Sequence, residues 1–389
     1  MLGEIKVLES LPVRSKGSLL VAFPVILVVA CGVGRDPGTT ITLHAPQPDI
    51  VAWGDSLTGG HEGNVNTGDY PDDLAMLLAQ TVHNEGIGGN TSTQIGVRQG
   101  GVATTATVAG GSIPSSGSVA VTFPTGYEPV TNQGPQNGTT GTLLGVHGTV
   151  TYTPNGLLFT RDTAASAVAA PNPAPFVVDT PYANDLPIFW EGGNNWWVPS
   201  QVQSDIAAQV ATVKAANYYI LSLINMNTSV LWKTGSDYPR VMALNNALAT
   251  TYGAHYIDIF SPLIASYNPS LITDVSDYNH GEVPTSLRAI YGSGTLVDAI
   301  GASDTTLTVT LSGTSPTPGE ILTIDTGANA ENVQISSVSG NTVTVVRNFG
   351  GNDTSHPAGA PVTATDPIHL NADGYQIVAK TIDAKIAGN

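Results

Sequence analysis

Ser56 follows directly on an apolar run: "DIVAWGDSLTGG" (49–60) closes through Trp53, Gly54 and Asp55 onto the serine. A serine at the end of a buried strand reads either as a turn residue or as a nucleophile. A nucleophile needs a base to take its proton, an acid to orient that base, and donors for an oxyanion. The candidate bases are eight histidines. His44, His61, His83, His147, His255, His280 and His356 stand in settings with no evident partner. His369 stands in "DPIHLNADGY", three residues after Asp366 and just ahead of the last helical segment. A carboxylate and an imidazole three apart on one tight turn can hydrogen-bond to each other. Asp366 then fixes the ring tautomer and leaves the second nitrogen for Ser56. Taken alone, Asp-x-x-His is a common pattern, and a solvated loop pair accounts for it equally well.

Two further turns suggest the oxyanion donors. "GIGGN" places Gly89 after a strand, where a residue without a side chain lets a backbone N–H approach a ligand. "EGGNN" places Asn194 after another strand, with an amide able to donate. In an open parallel sheet, ligands bind beyond the carboxyl ends of the strands, at the switch point. Ser56, Gly89 and Asn194 all follow strands and so belong on one edge.

The elements that must position these residues alternate between two textures. Residues 45–101, 181–292 and 365–389 read as βαβ units. Within them "DIVAWGD" is a strand, "YPDDLAMLLAQ" a helix with early proline and acids, and "PSQVQSDIAAQVATVKAA" another helix. They imply one mostly parallel sheet with helices on both faces. Residues 102–180 and 293–364 are instead alternating Thr- and Val-rich runs broken by Gly and Pro, with no helical period. They read as two β-rich insertions, either spacers or a wall, lid or carbohydrate-binding surface beside the site.

Composition bounds the partners. Thirteen basic against thirty acidic residues give a formal charge of −17, which argues against nucleic acid and anionic membrane surfaces. Hydrophobic residues make up 41% of the chain, enough for a globular core. The one cysteine, Cys31, rules out an intrachain disulfide. Arg14 and Lys16 precede an apolar run too short to span a membrane, which needs about twenty residues. With small residues at its end, residues 1–42 read as a signal or lipoprotein-type leader and tether. "VVAC" fits a lipoprotein box in which Cys31 is lipidated, so the expected location is extracellular or at the cell surface. A lipid anchor at Cys31 is then the one expected membrane contact.

Taken together, "GDSLT", "IGGNT", "GGNN" and "DPIH" resemble, in order, the four blocks of the SGNH (GDSL-type) hydrolase superfamily. The resemblance covers the α/β segments and neither β block. It implies an α/β fold, a three-layer α/β/α sandwich with a flavodoxin-like parallel sheet, to which the two β-rich insertions are added. It implies hydrolysis of carboxylic esters through an acyl-enzyme, with Ser56, Asp366 and His369 catalytic and Ser56, Gly89 and Asn194 as the oxyanion hole. No cofactor or metal is implied. One departure is Asn195, where the family usually has Asp, which puts the hydrogen bonding around Asn194 in doubt. The expected substrate is a small-molecule or polysaccharide ester, acetylated carbohydrate first and a lipase or short-chain ester close behind. Trp196 and Trp197 read equally as core packing and as substrate contacts, and "VPTSLRA" (283–289) as a segment overhanging the site. The reading from a different class is a binding or structural surface protein, phage-tail-like, with a vestigial esterase core.

Overall fold

The computed structural model describes residues 48–60, 68–313 and 315–388. The leader with Cys31, and His44 and His61, lie outside them.

Five strands form one parallel sheet: β1 (Ile50–Gly54), β2 (Val82–Gly86), β3 (Leu186–Trp190), β4 (Tyr219–Leu221) and β5 (Tyr256–Ile257). Their order is β5-β4-β3-β1-β2, so the chain leaves β1 in one direction for β2 and in the other for β3. The switch point is therefore beside β1, at whose carboxyl end Ser56 lies.

Both faces of the sheet are apolar because β1 is buried throughout and its side chains alternate. Ile50 and Ala52 join a cluster with Leu74, Tyr375, Val378 and Ile382. Val51 and Trp53 join another with Ile95, Val202, Ile206 and Leu244. Helices α1 (Ser56–Gly59), α2 (Tyr70–Leu78), α3 (Ser92–Gln99), α4 (Pro199–Val210), α5 (Tyr238–Tyr252), α6 (Phe260–Ala265), α7 (Ile272–His280) and α8 (Ala372–Ala387) supply the covering residues. Their starts are written locally. Asp69 accepts the Asp72 N–H at 2.8 Å ahead of Pro71, Thr91 and Gln94 form a capping box, and Asn371 accepts the Gly374 N–H at 3.1 Å. Fully burying a side chain such as Leu74 contributes about 1.5–3 kcal/mol.

The β blocks are two closed six-stranded antiparallel barrels. Residues 104–178 build the first around Val108, Val121, Leu143, Val150, Phe159 and Phe176. In the second, Leu307 and Val309, Val333 and Ile335, and Val343 and Val345 point inward at every second position. Closure leaves no sheet edge unpaired, which suits Thr/Val alternation on strands joined by tight turns. With these barrels attached, the molecule is mixed α/β and not the clean three-layer sandwich expected; alternation along each strand specifies a buried face but not which strands close on one another.

The second barrel begins with β6 (Arg288–Leu296) and ends with β7 (Pro361–Leu370). These two strands pair Arg288 with Leu370 and Ile290 with Thr365. Residues 366–369 are thus extruded between paired neighbours as a bulge. The Asp-x-x-His segment stands just ahead of α8, as expected, but on this bulge and not on a tight turn. Bulges bend a strand and re-aim its side chains, and they recur next to active sites.

Candidate active site

Two glycines let the chain turn sharply at Ser56. A Cβ on Gly54 would lie 2.0 Å from Thr58 Oγ1, and one on Gly86 would lie 2.0 Å from the Gly59 nitrogen. Only glycine permits α1 to start against the ends of β1 and β2. Asp55 caps this helix through Oδ1, accepting the Leu57 N–H at 2.9 Å. Ser56 is the first helical residue, where backbone N–H groups have no intrahelical acceptor.

The bulge delivers the other two groups. His369 Nε2 lies 2.8 Å from Ser56 Oγ, and its Nδ1 lies 2.6 Å from Asp366 Oδ2. Asp366 is 1% exposed and also accepts the Ile368 N–H at 2.7 Å on Oδ1. Burial alone would raise its carboxyl; the hydrogen bond and charge of His369, the Tyr291 hydroxyl and the Ile368 N–H outweigh it. They hold Asp366 well below the usual carboxylate range. The carboxylate therefore stays ionised, and an imidazole that has taken the Ser56 proton has a fixed counter-charge. The arrangement can perform nucleophilic catalysis.

The oxyanion candidates gather at the same edge. Gly89 is exposed with φ +72°, in the left-handed region, and closes a turn in which Asn90 N donates to Ile87 O at 3.2 Å. A Cβ on neighbouring Gly88 would lie 3.9 Å from Ser56 Cβ, so this turn runs alongside the serine. Asn194 and Ser56 line one cavity, but the Asn194 amide is engaged, donating to Asn90 O at 3.1 Å and Asp55 Oδ2 at 3.3 Å. Asp55 is 3% exposed, and burial pushes its carboxyl up to about 6 against the Leu57 N–H and the charge of His369.

The departure at Asn195 has a local reason. Its Oδ1 accepts the Ser92 N–H at 3.1 Å and its Nδ2 donates to Ser92 Oγ at 2.9 Å. Ser92 Oγ in turn donates to Asp205 at 2.7 Å. An amide completes this chain, whereas a carboxylate at position 195 would have no proton to give to Ser92 Oγ, whose own goes to Asp205.

The cavity at Ser56 measures about 20 Å³ and is lined by Leu57, Trp196, Ile224, Met226, Leu231 and Val241, among others. Trp196 thus faces the site. Trp197 is 51% exposed, edge-on to Trp196 with ring centroids 5.9 Å apart. Arg240 lies over the Trp196 ring at 5.3 Å and donates to Trp197 O at 2.9 Å, holding the pair in place.

The structure corrects two further expectations. The 283–289 segment does not overhang the site: Val283, Leu287 and Arg288 are buried, and Arg288 donates to the Pro367 carbonyl behind the bulge. Not all the other histidines lack partners, for His147 bridges Asp162 and Asp179, and His356 meets Glu331 at 3.0 Å.

Four residues in contact with the site carry no sequence signal. The Tyr291 hydroxyl donates to Asp366 Oδ2. Arg288 and the Asn227 N–H, at 2.8 Å, both bind Pro367 O. Arg98, 5% exposed, joins three pieces by donating to Asn90 Oδ1 at 3.0 Å, Glu85 O at 3.1 Å and Gly54 O at 3.3 Å.

No family model matches the chain. It is 29% identical over 247 residues to a tail spike protein of Salmonella phage epsilon15, covering 56% of this chain and 22% of that protein. The chain therefore spans about a fifth of that relative's length. Among solved structures it is similar to AlinE4, an SGNH-hydrolase family esterase. The TM-score is 0.27 at 13% identity, covering 55% of this chain and 76% of that one. A mutant of the same esterase gives the same figures.

Proposed function

We propose that the chain is a serine hydrolase of carboxylic esters, removing short acyl groups, acetyl first, from a carbohydrate. The observation that carries this reading is the continuous hydrogen-bonded line Ser56–His369–Asp366, at 2.8 and 2.6 Å. In this mechanism His369 takes the Ser56 proton as Oγ attacks the ester carbonyl. The oxyanion forms beside the Ser56 and Gly89 N–H groups and the Asn194 amide, which must redirect one hydrogen from Asp55 or Asn90. Collapse expels the alcohol with the proton from His369. Water, deprotonated by His369, then attacks the acyl-serine and releases the acid.

Acyl size follows from the cavity. A space of about 20 Å³ beside Ser56 holds little more than one water-sized group. It suits the methyl of an acetyl group better than a long chain. Exposed Trp197 offers a face for a sugar ring next to that cavity. Secretion or surface anchoring through Cys31 belongs to the same proposal.

The tail spike relative favours a second reading, in which the chain is a binding or structural part of a phage-tail-like assembly with a vestigial esterase core. One experiment separates them. Pure protein and Ser56→Ala are incubated with acetylated xylan, acetylated peptidoglycan and a triglyceride, and released acid is measured. The esterase reading expects serine-dependent acetate release from a polysaccharide. Retention on the polysaccharide without acetate release from any substrate supports the second reading and rules out the first.

A further inference from the structure

The second barrel carries two of the three groups in the line through Ser56. Asp366 and His369 stand on the bulge of its last strand, and that bulge is held from behind by its first. Arg288, the opening residue of β6, is fully buried and donates to Pro367 O, where the Asn227 N–H converges at 2.8 Å. Three residues along the same strand, the Tyr291 hydroxyl reaches Asp366 Oδ2. This is the oxygen that also accepts His369 Nδ1–H, while Oδ1 is taken by the Ile368 N–H.

From this convergence we infer that Tyr291 is a positioning residue which acts through Asp366 on His369, making the inserted barrel a working part of the catalytic apparatus. The inference rests on the serine-hydrolase reading above. Two donors on one carboxylate oxygen, with a third on the other, leave Asp366 a single orientation. That orientation points His369 Nε2 at Ser56. The phenol also disperses charge from the oxygen that His369 binds, which moderates how tightly the carboxylate holds a protonated imidazole. Burial, then the Asp366 carboxylate beside it, pushes the Tyr291 hydroxyl far above its ordinary range, so it remains a donor at every working pH.

The test measures the second-order rate of Ser56 labelling by a fluorophosphonate as a function of pH, in the full chain. Tyr291→Phe removes only the hydroxyl. Its labelling rate is expected to fall about tenfold, the loss of one charge-assisted hydrogen bond from an oriented carboxylate. The acid limb of its profile is expected at higher pH, since a carboxylate with fewer donors holds the protonated imidazole more tightly. In an Asp366→Asn background the same substitution is expected to change the rate less than twofold, because the residue through which it acts is already altered. Val345→Ala is the structural control: a buried side chain of the same barrel's core, expected to lower the melting temperature and leave the limb in place. A Tyr291→Phe profile that superimposes on the wild type overturns the role. So does a Val345→Ala limb that moves as far as that of Tyr291→Phe. Wild-type protein that is never labelled overturns the hydrolase reading and this role with it, whereas labelling that is equal in both overturns this role alone.

Discussion

Enlarging the cavity beside Ser56 should change which acyl groups are cleaved. Met226 lines the cavity and is only half-buried, packed against the cluster formed by Val202, Leu231 and Val241. Met226→Ala removes three side-chain heavy atoms from the wall of a cavity of about 20 Å³, making room for two additional methylenes. In the wild type a butyryl chain is expected to crowd the cavity wall, at a cost of about 1–3 kcal/mol. In the variant the two methylenes are buried and gain about 0.8 kcal/mol each. That gain alone, about 1.6 kcal/mol, is about a 15-fold rise in the butyrate-to-acetate ratio of kcat/KM. A half-buried methionine should cost the fold about 1–2 kcal/mol, less than a fully buried one. The assay compares p-nitrophenyl acetate and butyrate on wild type, Met226→Ala and Met76→Ala, the last a 74% exposed methionine on α2. We expect acetate preference in the wild type and in Met76→Ala, and a ratio shifted at least about tenfold toward butyrate in Met226→Ala. A folded Met226→Ala whose ratio stays within twofold of the wild type would refute the argument that this cavity receives the acyl chain.

Two further predictions concern Asn194 and pH. Asn194→Ala should lower kcat by about 10²–10³ with little change in KM, as for loss of one oxyanion donor. A drop below threefold would show that its amide stays with Asp55 and Asn90 and never reaches the oxyanion. Stability should fall as pH rises from about 4 to 6. Asp55 and Asp277, both buried, are raised from 3.8 to about 6, so across that window the folded state binds more protons than the unfolded one. From (6 − 3.8) × about 1.36 kcal/mol, each group contributes up to about 3 kcal/mol, present below pH 4 and lost above pH 6. Asp366 acts oppositely, since its depressed carboxyl stabilises above the ordinary carboxylate range and that stability is lost as pH falls below it. Denaturant titrations should therefore give a lower unfolding free energy at pH 7 than at pH 4.5, and a higher one at pH 7 would contradict the assignment.

The parts of the site legible in the sequence are those whose chemistry is local. Ser56, Gly89 and Asn194 each follow a strand, and strands of a parallel sheet deliver their carboxyl ends to one edge. Asp366 and His369 are three residues apart, close enough along the chain for their 2.6 Å hydrogen bond to be anticipated. The illegible parts depend on strand pairing. Tyr291 reaches Asp366 from 75 residues away because the second barrel closes β6 against β7. The Asp366–His369 bulge exists only as a mismatch between those two strands. His147 looks isolated along the chain, yet Asp162 and Asp179 approach it from just past the ends of two strands of the first barrel. Thr/Val alternation marks each strand as one-sided without naming its neighbours. The same reason explains why alternation marks two β-rich blocks without giving their closure into barrels.

In the proposed mechanism His369 and Asp366 make Ser56 nucleophilic. Treating pure, folded protein with a fluorophosphonate and mapping the adduct by mass spectrometry tests this most directly. One covalent adduct is expected, on Ser56, abolished by Ser56→Ala and strongly slowed by His369→Ala. An unlabelled Ser56 in correctly folded protein, or labelling that survives His369→Ala at the wild-type rate, would contradict it.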